Sequence, residues 1–159
     1  MKKYKRVSES ATSYVEIVNF SHLNGYKRIF GGQLMSWIDT VAGVVARRHS
    51  ENNVATVTVD NLNFKLPAYR NDTIYIEGKI TAAFNTSMEI CVKSYVEELN
   101  GERTLINTAY LVMVALDIYD KPTAVPKLIL ETYDEKKEYE LAVKRNKVRK
   151  ALKYNKENL

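Results

Sequence analysis

Apolar residues recur at helical spacing in one stretch of this chain and at strand spacing through most of the rest. From Gly31 to His49, Leu34, Ile38, Val41 and Val45 follow at intervals of four, three and four, the repeat of one helix face. Met35, Trp37, Ala42, Val44 and Ala46 make most other directions apolar too, so the pattern predicts a helix enclosed by the rest of the protein. Arg47, Arg48 and His49 put positive charge where the last carbonyls point, which is a stop signal. Ahead of this helix, Ser13 to Val18 reads as a short strand followed by a polar loop.

Behind it, Val54 to Asp117 reads as strands alone. Val57 and Val59 alternate with Thr56, Thr58 and Asp60. Leu62, Phe64 and Leu66 then keep the spacing of two in a shifted register, which predicts a bulge near Asp60 and Asn61, and Pro67 ends the strand. Ile74, Ile76, Gly78, Ile80, Ala82 and Phe84 oppose Tyr75, Glu77, Lys79 and Thr81. Asn85-Thr86-Ser87 then turns into a strand with Met88, Ile90, Val92 and Val96 inward. Asn100-Gly101 is a hairpin signal, and Thr104 to Leu116, apolar on both faces, should be a central strand. The expected fold is α+β: a long central helix wrapped by a curved antiparallel sheet of about five to six strands.

At 159 residues and 45% hydrophobic, the chain has room for one domain with a single core. The divisions expected are an N-terminal segment over 1–12, the domain over 13–130, and a basic helical tail over 131–159. In that tail Lys144, Arg145, Lys147, Arg149, Lys150 and Lys153 sit among sparse apolar residues. A formal charge of +5 attracts polyanions in general. No aromatic and basic interleaving supports nucleic acid, so a solvated helix with some packing against the domain or a neighbour is the expectation. No apolar run nears the roughly 18 residues of a membrane helix, and Met-Lys-Lys-Tyr-Lys-Arg leads into Ser-Glu-Ser instead of a signal core. A cytoplasmic protein without membrane partners is expected. One cysteine, Cys91, excludes an internal disulfide, and with His22 and His49 alone it makes no zinc site of the usual kinds, so no metal is expected.

Candidate chemistry concentrates between Asn24 and Asp39. Asp39 is the only carboxylate of the apolar helix, and its neighbours at three and four positions, Met35, Ser36, Ala42 and Gly43, include no cation. Such a group is paired with Ser36 or a remote arginine, or it is functional. Gly31 and Gly32 open the helix. Free N–H groups there favour developing negative charge and glycine lets a ligand approach, which are the requirements of an oxyanion hole, although a tight turn explains glycines as well. From Gly32 to Asp39 is about 10 Å of helix at 1.5 Å per residue, too far for one carboxylate to serve a carbonyl bound at its own helix start. Two antiparallel helices in a two-fold dimer would bring Asp39 of one subunit to the Asn24 and Gly32 region of the other.

Asn24, Phe30-Gly31-Gly32, Leu34-Met35, Ile38-Asp39, Arg48-His49, the strand from Val59-Asp60 to Phe64, and Pro67 together resemble the hot-dog-fold acyl-CoA thioesterases. Within them they resemble the bacterial acyl-CoA hydrolases related to the brain and cytosolic enzymes. The resemblance spans roughly residues 12 to 128. It implies hydrolysis of fatty acyl-CoA to free acid and CoA, with no cofactor beyond the CoA of the substrate. It makes Asp39 the general base or nucleophile, has Asn24 of a neighbouring subunit orient water or thioester, and has the Gly31 and Gly32 N–H groups polarise the carbonyl. It also implies a homo-oligomer, a dimer at least and a trimer of dimers in the hexameric case. Arg48, Thr86 and Ser87 are candidates for contacts to CoA, although for Arg48 helix C-terminal charge is an equal explanation. Lys27 departs from the pattern, since family members often have a glycine there and this chain has Gly25 instead. The rival readings are a hot-dog dehydratase, which would need a histidine paired with a carboxylate, and a non-catalytic acyl-CoA-binding regulator.

Overall fold

Five strands form one antiparallel sheet in the computed structural model, which describes residues 3–157. They are β2 (Thr12–Ile17), β3 (Asn53–Phe64), β4 (Thr73–Ala83), β5 (Ser87–Glu97) and β6 (Arg103–Leu116), in the order β2-β4-β5-β6-β3. Two short strands, β1 (Tyr4–Arg6) and β7 (Lys127–Ile129), pair in parallel beside it. Two α-helices complete the fold, α1 (Gly31–Ser50) and α2 (Tyr133–Glu157). The strand expected to be central, β6, is interior, while β5 holds the middle of the sheet.

Period-two alternation makes one face of the sheet apolar. Ile74, Ile76 and Ile80 of β4, Met88, Ile90 and Val92 of β5, and Ala109, Leu111, Met113 and Ala115 of β6 meet Leu34, Ile38, Val41 and Val45 of α1 in a single core. The helix lies close against β4 because Gly78 has no side chain there. A Cβ at that position would stand 2.7 Å from Val41 Cγ1 and 3.0 Å from Val45 Cγ2. The other face of the sheet carries Thr81, Glu89 and Tyr110, and α2 crosses it through Arg145 and Arg149.

Two expectations about α1 are corrected. It is not enclosed on every side: Gly32, Ser36, Thr40 and Arg47 are exposed and Asp39 and Gly43 half-buried, so one stripe of the helix stays open. The charge at its C-terminal end also differs from the expectation. His49 is fully buried, its Nε2 lies 2.9 Å from the carbonyl of Pro126, and its Nδ1 meets no partner. Burial holds its pKa below the ordinary value, so it is the neutral imidazole. The cation that serves the last carbonyls comes from β1 instead, where buried Lys5 donates to the Arg48 carbonyl at 2.6 Å and pairs with Glu51 at 2.7 Å.

Candidate active site

Asp39 sits at the middle of α1 on its open side, and β3 supplies its partner. Thr56 Oγ1 donates to Asp39 Oδ1 at 2.7 Å. The pairing expected with Ser36 or an arginine is absent among the described residues; the Ser36 carbonyl takes the Thr40 hydroxyl instead. Val57 and Val59 share one parity in the strand alternation, yet Val57 is 60% exposed and Val59 37%. The register of β3 against β6 breaks between Thr56 and Thr58, a bulge that leaves Thr56 opposite the core residue Met113 and puts Val57 outside the ladder. The predicted irregularity after Asp60 is present as a second break, between Asp60 and Asn63, with Asn61 left-handed at φ 55.

At the helix start, Phe30 is an N-cap without a side-chain cap, and its carbonyl accepts from the N–H groups of Gln33 and Leu34 at 2.9 and 3.2 Å. The N–H groups of Gly31 and Gly32 have no acceptor among the described residues, so two donors at the positive end of a 20-residue helix remain free. Gly32 has no room for a side chain unless the Phe30 ring moves, whereas a Cβ on Gly31 would only touch Phe64. A Cβ on Gly32 would come within 2.5 Å of the Phe30 ring, and one on Gly31 within 3.4 Å of Phe64.

The preceding loop is a closed turn built on Asn24. Its Oδ1 accepts from the N–H groups of Tyr26 and Arg28 at 2.9 and 3.3 Å, and its own N–H donates to the Arg28 carbonyl at 2.8 Å. These bonds spend the side-chain carbonyl and leave the exposed Nδ2 as the free donor. Lys27 is left-handed at φ 57, a conformation that favours glycine, which is the physical content of its departure from the family pattern. His22 anchors the loop. Its ring stands edge-on to Trp37 with centroids 4.9 Å apart, and its Nδ1 accepts from the Asn19 N–H at 3.2 Å. Neither histidine hydrogen-bonds to a carboxylate among the described residues, so the feature a dehydratase needs is missing there.

Within one chain these parts do not converge. Asn24, Gly31 and Gly32 lie at the start of α1 and Asp39 about 10 Å along it. Arg48 lies at the far end, about 24 Å from Gly32 at the same rise. Its Nη1 donates to the Ala11 carbonyl and to Thr12 Oγ1, both at 3.1 Å. Thr86 and Ser87 belong to that far end too, since Ser87 pairs with Val114 beside the start of β3. Cys91 is on the α2 side of the sheet, where burial pushes its thiol up to about 11, so it is not a nucleophile in waiting. No group of three metal-ligating side chains occurs among the described residues.

Thr56 is the site residue that the sequence hides. A threonine in an alternating valine and threonine strand reads as surface; Thr56 is indeed exposed, but the bulge after it sets it on the α1 side of the sheet, opposite in parity to Thr58 and Asp60. The signal available was the doubling of alternation defects within one strand, of which the pattern showed just the second.

Comparison with known proteins agrees with this fold. Residues 26–101 match the model of the thioesterase superfamily. The uncharacterised acyl-CoA thioester hydrolase YkhA of Bacillus subtilis is 38% identical over 128 residues, covering 80% of this chain and 74% of that protein. Cytosolic acyl coenzyme A thioester hydrolase of Rattus norvegicus is 36% identical, but the chain spans only 36% of its length. Among solved structures, the acyl-CoA hydrolase of Staphylococcus aureus in complex with butyryl-CoA, CoA and CoA disulfide superposes with a TM-score of 0.92 at 31% identity, covering 98% of this chain and 95% of that one. Its variants with a threonine, an aspartate or an asparagine replaced by alanine superpose equally well, and the asparagine variant holds CoA. A hexameric acyl-CoA thioesterase matches at 35% identity and TM-score 0.90, covering 94% of this chain and 97% of that one. The chain belongs to the thioesterase superfamily, as a hot-dog-fold acyl-CoA hydrolase.

Proposed function

We propose that this acyl-CoA hydrolase works through Asp39, held by Thr56, as the general base on water, in sites that two subunits share. The Thr56 hydrogen bond occupies Asp39 Oδ1 and leaves Oδ2 to take a proton from water, which reaches the half-buried carboxylate from the open side of α1. The hydroxide attacks the thioester carbonyl, and the oxyanion that forms is met by the N–H groups of Gly31 and Gly32. The C–S bond then breaks. CoA leaves as thiolate and takes up the proton that Asp39 removed, giving free acid and CoA thiol with water as the only co-reactant. A thiolate is a good leaving group, so a site with one carboxylate and a few donors suffices.

The single observation that carries this reading is the Thr56–Asp39 bond on the open stripe of the helix. The three residues replaced in the Staphylococcus aureus variants stand at the same separations along their chain as Asn24, Asp39 and Thr56 do here, which supports assigning all three to the site. The 10 Å between Asp39 and its own helix start, together with hexameric relatives, supports a dimer as the minimal unit and three dimers as the assembly. Asn24 of the neighbouring subunit then offers Nδ2 to the water or the thioester. Arg48, Thr86 and Ser87 stay candidates for the CoA end of the substrate. No helix among the described residues is long and apolar enough to cross a membrane. The cytoplasm is the compartment we assign, on the strength of the cytosolic acyl coenzyme A thioester hydrolase among the relatives.

The test is release of CoA thiol from a panel of fatty acyl-CoA chain lengths, read with a thiol reagent. Asp39→Asn should abolish release and Thr56→Val reduce it about tenfold or more, both with the oligomer intact on a sizing column. Undiminished turnover by Asp39→Asn would move the chemistry elsewhere. Multiple turnover in 18O-labelled water separates base catalysis, which labels only the released acid, from attack by the carboxylate followed by water opening the anhydride at Asp39, which labels Asp39 as well.

A further inference from the structure

α2 carries Arg145 and Arg149 one turn apart, and both reach Glu89, a fully buried carboxylate on the outer face of β5. Arg145 donates from Nη2 at 2.8 Å and from Nε at 3.2 and 3.1 Å, Arg149 from Nη2 at 2.8 Å, and Thr81 Oγ1 at 2.7 Å. These bonds satisfy the buried charge and fasten the helix to the sheet. Arg149 has a further arm. Its Nη1 donates to Asp60 Oδ2 of β3 at 2.7 Å. Tyr110, which pairs with Asp60 across the strands, lies under the Arg145 guanidinium at 3.8 Å from the ring centroid.

Glu89 alone would fasten α2, so the Asp60 arm calls for its own account. It lands on the strand pairing with the most register breaks. Within one chain β3 pairs only with β6, and its register breaks on both sides of Thr58, Val59 and Asp60. Those three residues, opposite Val112, Leu111 and Tyr110, form a short island of ladder between two bulges. The first bulge also inverts the faces. Without it Thr56 and Asp60, four apart, would point the same way; with it Thr56 turns to α1 and Asp39 while Asp60 turns to α2.

We propose that Arg149 and Asp60 are positioning residues for the hydrolysis, holding the bulged segment of β3 from outside so that Thr56 keeps Asp39 in its productive orientation. The proposal rests on the reading of Asp39 as the catalytic carboxylate. α2 thereby becomes part of the active-site scaffold, acting from the opposite face of the sheet to Asp39.

Arg149→Met keeps the aliphatic stem and leaves Glu89 paired with Arg145, so the fold is retained. Asp60→Asn weakens the same tie from the strand side. Both variants should lose about tenfold in kcat with KM within about twofold of the parent, because the binding surfaces are untouched. In a Thr56→Val background the further loss from Arg149→Met should be under about twofold, the non-additivity expected when one residue acts through another. Unchanged kcat in both variants overturns the proposal. So does an equal loss with Thr56 already removed, which would make α2 a support of the fold alone. Failure of the underlying reading shows separately, as turnover retained by Asp39→Asn.

Discussion

Lys27 carries a side chain where the backbone suits glycine. Its φ of 57 costs an ordinary residue about 1–2 kcal/mol, part of which glycine would return through the greater freedom of its unfolded chain. Lys27→Gly should therefore raise the thermal midpoint by up to about 3 °C, since about 1 kcal/mol moves a domain of this size by 2–4 °C. A lowered midpoint in a thermal melt would show that the lysine side chain contributes contacts that outweigh the strain. Residues of this kind mark how far single positions are legible. Asp39 stands out because a carboxylate in an apolar helix must have a reason, and the glycine pair because free N–H groups follow from a helix start. Thr56 does not, because its meaning depends on a strand parity that a one-residue bulge reverses.

At the scale of elements, periodicity placed α1 and every strand of the large sheet within one or two residues, since helix and strand repeats are written directly in the apolar positions. What it missed were contacts between elements distant in sequence. His49 reads as a cation at a helix end, yet the segment before β7 closes over it and the Pro126 carbonyl accepts a hydrogen bond from its Nε2. The consequence is a pH dependence of stability. Burial lowers the native pKa of His49 below 6.5, so above pH 6.5 the imidazole is neutral in both native and unfolded chains and adds no dependence. As pH falls through 6.5 the unfolded chain binds the proton first, and stability declines until the lowered native pKa is reached. Glu89 adds a loss at more acid pH. Burial pushes its pKa up, but Arg145, Thr81 and Arg149 more than offset this and hold it below 4.5, so its stabilisation is lost as pH falls through that lowered value. Urea midpoints should fall between pH 6.5 and 5.5, and His49→Gln, which keeps a donor for Pro126, should flatten that decline. An unaltered decline in the variant would assign it to other groups.

At the scale of the whole molecule, the informative quantity is a length. The separation of Gly32 and Asp39 along α1 follows from seven residues at about 1.5 Å each once the helix is formed, so a site shared between subunits could be argued from the sequence. The open stripe through Gly32, Ser36, Asp39, Thr40 and Gly43 is the surface on which that need falls. Nothing lies within 4 Å of where a Cβ on Gly43 would stand, so the helix there can admit close approach by a second copy. Complementation tests this arrangement without any knowledge of substrate preference. Asp39→Asn and Asn24→Ala each remove one half of every site in a homo-oligomer. In a dimer with one subunit of each kind, shared sites segregate the two lesions: one site carries both and the other carries neither. Random pairing at equal concentrations makes half the dimers mixed, each with one of two sites intact, so about a quarter of wild-type CoA release should reappear on co-refolding two variants that are each inactive alone. Recovery should track the fraction of mixed oligomers, which differently tagged subunits allow to be measured. Activity that stays at the level of the separate variants while mixed oligomers form would place Asn24 and Asp39 in the same subunit's site, and would require α1 or the Asn24 loop to move by most of that 10 Å on binding substrate.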